Sequence, residues 1–194
     1  MRGAMLAVGV VIWLTLVGCA DAAKHAWTPI GPVQTWEITP GVPSCTVTEA
    51  WHAWHADPVA VKILDVRTPG EYIYVGHVPG ARNIPWKLLE NRWDDQRQAP
   101  AMKPNPTFLE AVRKAYRPDE LLLVMCRSGR RSADAVKTLR AAGYAKAISV
   151  DGGFEGEFGK DCDCATREKM VKKGWKAMDY PWTLAVEAKE MWTD

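Results

Sequence analysis

Runs of lysine and arginine are missing from the 194 residues, and the formal net charge is only +2. A nucleic-acid partner calls for a basic patch or stripe, so nothing here supports one. No segment repeats at a solenoid or propeller period. The apolar run Ala4–Val17 falls short of the roughly 20 residues that a spanning helix requires. Histidine is scarce, with 4 in all. His52 and His55 stand one turn apart on an expected helix, but no third ligand accompanies them, so a solvated or half-packed face is the better reading. What is present, 47% hydrophobic and 25% charged residues, suits one ordinary globular domain plus extras.

The extras begin at the N-terminus. Arg2 precedes the apolar run, which ends in Leu16-Val17-Gly18-Cys19 and resembles a bacterial lipobox, whose cysteine thiol takes a diacylglycerol. The rival is a type I site at Ala20-Asp21-Ala22, cleaved before Ala23. The lipobox is preferred because it closes the apolar run. Residues 1–18 are therefore expected to be a signal peptide, and Cys19 the lipidation site. Removing 1–18 takes away Arg2 and leaves a net charge of +1. Both routes export the protein. In a Gram-negative host, Ala20 in place of an aspartate after Cys19 points to the outer membrane, with a soluble periplasmic form as the alternative. Residues 19–45 are rich in proline and read as an extended tether. Residues 46–184 read as the folded domain and 185–194 as a C-terminal tail.

Within 46–184, strands alternate with helices. Thr46 and Glu49 make a capping box for a helix reaching about Ala56, and Val61–Asp65 is a short apolar strand. A strand is expected near Arg82–Ile84, a short helix over Trp86–Glu90, and a loop over Asp94–Pro104. Asn105-Pro106 would cap a helix presenting Phe108, Leu109, Val112 and Tyr116. Leu121–Met125 is apolar throughout, as in a strand buried on both faces of a parallel sheet. A helix over 131–142 ends at Gly143, and Ala147–Val150 is a further strand before the Gly152-Gly153 turn. The expected class is α/β, one domain with a mostly parallel central sheet flanked by helices.

In such sheets the crevice beyond the strands' carboxyl ends holds the site. There the sequence reads CRSGRRS, residues 126–132. Cys126 ends a strand just before a helix, so the N–H groups of Arg127, Ser128, Gly129, Arg130, Arg131 and Ser132 can converge on one point, and three guanidinium groups strengthen the field. That environment favours a thiolate over a thiol. A nucleophile held this way needs no histidine base, and a merely buried cysteine would not require this loop.

Together these segments resemble a single-domain rhodanese, a sulfurtransferase. Asp65-Val66-Arg67, Glu71-Tyr72, Gly76-His77-Val78-Pro79-Gly80-Ala81 and Asn83-Ile84-Pro85 match the family's first motif, and CRSGRRS its catalytic loop. Gly152-Gly153-Phe154-Glu155-Gly156, Gly174-Trp175-Lys176 and Tyr180-Pro181-Trp182 resemble its closing motifs. The resemblance implies a persulfide shuttle at Cys126, from an anionic donor such as thiosulfate or polysulfide to cyanide, a thiol or a dithiol protein, with no metal and no organic cofactor. Related folds include C-x5-R phosphatases and arsenate reductases, whose arginine lies six positions after the cysteine. That position here is Ser132, with Arg131 at five, which suits one sulfur better than a phosphate. A second class also stands: a lipoprotein that carries or senses sulfur without turnover.

Asp65, Arg67 and Glu71 read as a polar network that fixes the geometry around the loop, and His77 as a structural turn residue. Cys162 and Cys164, in GKDCDCATREK, depart from the family pattern. Three readings stand side by side: a relay for the persulfide, a disulfide from one of them to Cys45, or incidental exposed thiols. A zinc site is disfavoured, because no partner pair exists.

Overall fold

The computed structural model describes residues 36–163 and 168–193, with side chains described over 39–158 and 172–193. The expected signal peptide, Cys19, the tether up to residue 35 and Cys164 lie outside the described residues, as does the side chain of Cys162. In chain order the elements are β1 (Trp36–Thr39), β2 (Val42–Thr46), α1 (Val47–Ala56), β3 (Val61–Asp65), α2 (Pro69–Val75), β4 (Arg82–Asn83), β5 (Lys87–Asp94) and β6 (Ala99–Pro104). They continue with α3 (Phe108–Ala115), β7 (Leu121–Met125), α4 (Arg130–Ala141), β8 (Ala147–Asp151), β9 (Gly156–Asp163) and β10 (Glu168–Lys173), followed by two single 3₁₀ turns, Trp175–Met178 and Ala188–Glu190.

The central sheet runs in the order β1-β2-β8-β7-β3-β4. Every neighbouring pair in it is parallel except β1 with β2. β7 lies between β8 and β3, and its unbroken apolar sequence has a direct physical cause. Leu122 and Val124 pack on one face with Val112 of α3 and Val136 and Leu139 of α4. Leu123 and Met125 pack on the other with Ala50 of α1 and Trp175. A strand covered on both faces cannot carry a polar stripe. Truncating Leu123 to Ala would cost about 2–5 kcal/mol, the usual range for such a core deletion.

The capping box at Thr46 forms as expected: Thr46 Oγ1 accepts from the Glu49 N–H at 3.2 Å, and Glu49 accepts from the Thr46 N–H at 2.8 Å. α3 begins two residues later than Pro106 suggests. Asn105 Oδ1 accepts from the Thr107 N–H at 3.0 Å and so organises the turn that leads in.

Four expectations are corrected. Residues 36–45, assigned to the tether, form an antiparallel hairpin on the sheet edge, turning at Pro40-Gly41. Of their prolines, Pro40 lies in the turn, while Pro43 pairs with Glu37 on the β1 side and stands one residue before the β2–β8 ladder begins. Trp86–Glu90 is not a helix, and Asp94–Pro104 is not a loop. They build the β5–β6 hairpin, whose pairing comes from the opposite strand rather than from a buried face. Residues 185–193 are not a free tail, since Glu190 is buried and Trp192 packs against the core.

Candidate functional site

The loop from Cys126 to Gly129 leaves β7 and enters α4. Gly129 holds φ +103°, a conformation that L side chains rarely adopt, and from there its N–H reaches the Cys126 Sγ at 3.1 Å. Cys126 is 1% exposed. Its Sγ also lies 3.5 Å from the Oγ of Ser132, which donates to the Gly129 carbonyl at 2.9 Å and shares a 2.9 Å hydrogen bond with Ser149 Oγ in β8. Ser149 is the residue sequence reading missed: a lone serine in an apolar strand carries no signal until register places it beside α4.

The loop is backed from behind by the turn after β8. Phe154 N–H donates to the Cys126 carbonyl at 2.8 Å, and Glu155 and Gly156 donate to the Arg127 carbonyl at 2.9 and 3.1 Å. Gly153, at φ +56°, approaches so closely that a Cβ there would stand 2.3 Å from the Cys126 oxygen. Gly153 is thus needed for contact with the loop as well as for a turn.

All three loop arginines face carboxylates. Arg131 meets Glu71 through two bonds, at 2.8 and 2.5 Å. Arg130 reaches Glu157 at 2.5 Å from a largely exposed position, and Arg127 lies 3.8 Å from Glu155. Ser128 lines the cleft. Glu71 performs a second task. With Thr68 it closes a capping box that starts α2, accepting from the Thr68 N–H at 2.9 Å and its Oγ1 at 2.8 Å. The pattern Thr68-Pro69-Gly70-Glu71 carries that signal in sequence. Burial alone would raise the Glu71 carboxyl, but Arg131 and Thr68 outweigh it and hold the group at about 2.

Asp65 and Arg67 form a buried pair. Asp65 Oδ1 accepts from the Arg67 N–H and Nε at 3.0 Å, and Oδ2 accepts from Nη2 at 2.6 Å. Arg67 also donates to the Gly76 carbonyl at 2.7 Å, covers the Phe154 ring at 4.2 Å and stands 3.9 Å from Glu155. The three expected network residues are therefore brought to the loop by two separate routes, Asp65–Arg67 through Phe154 and Glu155, and Glu71 through Arg131. His77 is fully buried, stacked on Tyr72 and bonded to its carbonyl at 3.0 Å, away from the cleft lining. His55 stacks on Trp51 at 4.4 Å, an aromatic contact on a half-packed face.

Cys45 is a free thiol in β2 at 0% exposure, so no disulfide forms there. It faces the core cluster with Val47, Val150 and Phe154. Among the described residues no group of three or more His, Cys, Asp or Glu side chains is placed to hold a metal ion.

Above Cys126 opens a cleft of about 840 Å³. Its walls come from Thr68 and Glu71 of the α2 start, Leu89 and Met102 of the β5–β6 hairpin, and Phe158 of β9. A thiol at its base with an amide N–H on the sulfur can act as a nucleophile and stabilise a charged sulfur.

Comparison with known proteins gives the same picture. Residues 46–157 match the Rhodanese-like domain family. Over 93 residues, 48% of this chain, the sequence is 37% identical to Thiosulfate sulfurtransferase 16, chloroplastic, of Arabidopsis thaliana, and it spans 70% of that protein. It is 39% identical to Thiosulfate sulfurtransferase 18 of the same plant over 93 residues, 47% of this chain and 62% of that one, less than two thirds of its length. The crystal structure of Rv0390 from M. tuberculosis superposes with a TM-score of 0.54 at 24% identity, covering 72% of this chain and 96% of that one, which bears on the fold alone. With more than half of its length matched and the sheet, loop and cleft in place, this chain belongs to the rhodanese-like domain family.

Proposed function

We propose that this protein is an exported sulfurtransferase that moves a sulfane sulfur from an anionic donor to a thiophilic acceptor through a persulfide on Cys126. The observation that carries the reading is the Gly129 N–H held 3.1 Å from the Cys126 Sγ at the base of an open cleft. The sulfurtransferase names of the two plant relatives agree with it.

In the first half-reaction the Cys126 thiolate attacks the outer sulfur of thiosulfate. The new S–S bond forms as the old one breaks, and sulfite leaves with its electron pair. The Cys126 persulfide anion then sits where the loop N–H groups offer hydrogen bonds, in the manner of an oxyanion hole. In the second half-reaction cyanide attacks the terminal sulfur and departs as thiocyanate, or a thiol takes the sulfur as its own persulfide. Cys126 returns as thiolate in either case. Arg131 and Glu71 hold the loop's shape, and Arg127 offers an exposed positive charge to the incoming anion. Export and acylation at Cys19 belong to the same proposal and rest on the lipobox pattern.

The test is an intact mass of the chain lacking residues 1–23, taken after thiosulfate or polysulfide and again after cyanide or a dithiol. Wild type should gain one sulfur atom and lose it to the acceptor, and Cys126→Ser should gain none. A sulfur that loads but never leaves would favour a carrier without turnover. No loading from either donor would sink the reading. For the anchor, Cys19→Ala should shift the full-length protein from membrane to soluble fraction.

A further inference from the structure

The C-terminal segment, expected as a tail, closes a second cavity beside β4, at the sheet edge opposite β1. It holds about 490 Å³, inside the roughly 300–1,000 Å³ of sites for small organic molecules. Ile84 just after β4, Ala111 on α3, and Met191 and Trp192 of the C-terminal segment supply apolar wall. Ile84 is buried, while Ala111, Met191 and Trp192 are half-buried. No residue that lines this cavity also lines the cleft over Cys126. The sulfur chemistry leaves it without a task.

Arg82 of β4 belongs to the same lining and is half-buried. Its guanidinium forms no ion pair and no hydrogen bond among the described residues. Two carboxylates in its neighbourhood are engaged elsewhere. Glu190, in the adjoining turn, has its Oε2 3.5 Å from the Tyr72 hydroxyl. Glu110, in the lining itself, holds Lys114 at 2.7 Å. That pair is exposed on both sides, so solvent screens it and it adds no net charge. One guanidinium thus stands in a largely apolar lining with its charge unmatched. A partly desolvated cation without a partner is unfavourable, and an anion set against it restores what solvent no longer supplies.

We propose that this cavity is an accessory site, separate from Cys126, for a small aromatic carboxylate. The carboxylate takes the planar fork of Arg82, whose paired N–H directions match both oxygens. The flat ring lies against Trp192, where ring pairs gain more than their buried area alone, and against the Ile84 and Ala111 wall. An inorganic anion would satisfy Arg82 and leave that wall wet, while a neutral ring would do the reverse. The bound molecule touches β4, α3 and the C-terminal segment together, and so pins that segment to the sheet edge.

The probe is para-trifluoromethylbenzoate, titrated against the wild-type chain by fluorine NMR, with its uncharged amide as the control. For a molecule of this size a Kd on the order of 1 mM or tighter is expected. The amide should bind about tenfold more weakly, the size of one charge-assisted contact. In Arg82→Gln the acid and the amide should bind alike. Ala111→Leu fills the cavity and keeps the charge, and it should weaken the acid by about tenfold or more. Both positions are half-buried, and melting curves that match wild type establish that each variant is folded. If wild type binds acid and amide equally, or Arg82→Gln keeps the preference for the acid, the proposal falls. Displacement of the probe by inorganic phosphate at equal concentration would reveal a general anion site and overturn it. Asp194 follows Thr193, which lines the cavity. If Asp194→Asn binds the probe about tenfold more tightly, the chain's own carboxylate occupies Arg82 and the proposal is overturned.

Discussion

At the scale of single residues, Glu71 does the most with one side chain, since its two oxygens start α2 and clamp Arg131 at the entrance to α4. Its carboxyl is held at about 2 against an ordinary 4.5. A folded-state value below the unfolded one means stability that is fully present above about 4.5 and lost as pH falls through about 2. The shift corresponds to on the order of 3 kcal/mol. Glu71→Gln should lower the urea midpoint at pH 7 by a corresponding amount, and the gap to wild type should close between pH 4.5 and 2. A gap that stays constant over that window would mean that the charge of Glu71 is not what secures Arg131. The role of Glu71 as a network residue was legible from its place in the motif. Its partner was not, because 60 residues separate Glu71 from Arg131 and only the fold brings them together. Ser149 was silent in the sequence for the same reason.

At the scale of elements, the turn Asp151–Gly156 and the loop it supports behave as one unit, joined through the carbonyls of Cys126 and Arg127. Gly153→Ala would place a methyl group 2.3 Å from one of those carbonyls, and the loop must move to admit it. Shifts of about an ångström at a reacting group can slow chemistry about a hundredfold. Loading of Cys126 by thiosulfate in Gly153→Ala should fall by that order while far-ultraviolet dichroism is kept. Unchanged loading would show that the loop holds its shape without the turn. Elements built on local signals were legible: the capping box of α1, the double-sided apolarity of β7 and the glycine turn after β8. The β5–β6 hairpin was not. Adjacent leucines at 88 and 89 break any alternation, no residue of β5 is buried, and the register shifts between Leu89 and Trp93. Its order comes from cross-strand pairing, which leaves no hydrophobic period to read.

At the scale of the whole molecule, the folded unit among the described residues is wider than 46–184. The β1–β2 hairpin extends the sheet at one edge, while the turn Ala188–Glu190 packs beside β4 at the other. The short β4 edge, two residues long, is thereby covered. Trp182 packs over Gly76, and Thr183 pairs with His77, so the chain's last part is stitched to the first motif. Proline content suggested a tether over 19–45, and residues 185–194 read as a tail. Composition cannot tell a proline in an edge hairpin from one in a linker. Cys45 sits within this framework, opposite Val150 at the β2–β8 junction. Burial, and after it the charges of Glu49 and Asp151, push its thiol up to about 12. A thiol that is both enclosed and protonated cannot meet an alkylating reagent until the sheet parts. Cys45 is therefore a built-in clock for opening. Its alkylation by iodoacetamide, followed on the peptide that carries it, should be slow in native buffer and accelerate with urea as steeply as global unfolding does. A shallow urea dependence would report instead that the β1–β2 edge peels away alone, leaving the Cys126 loop standing.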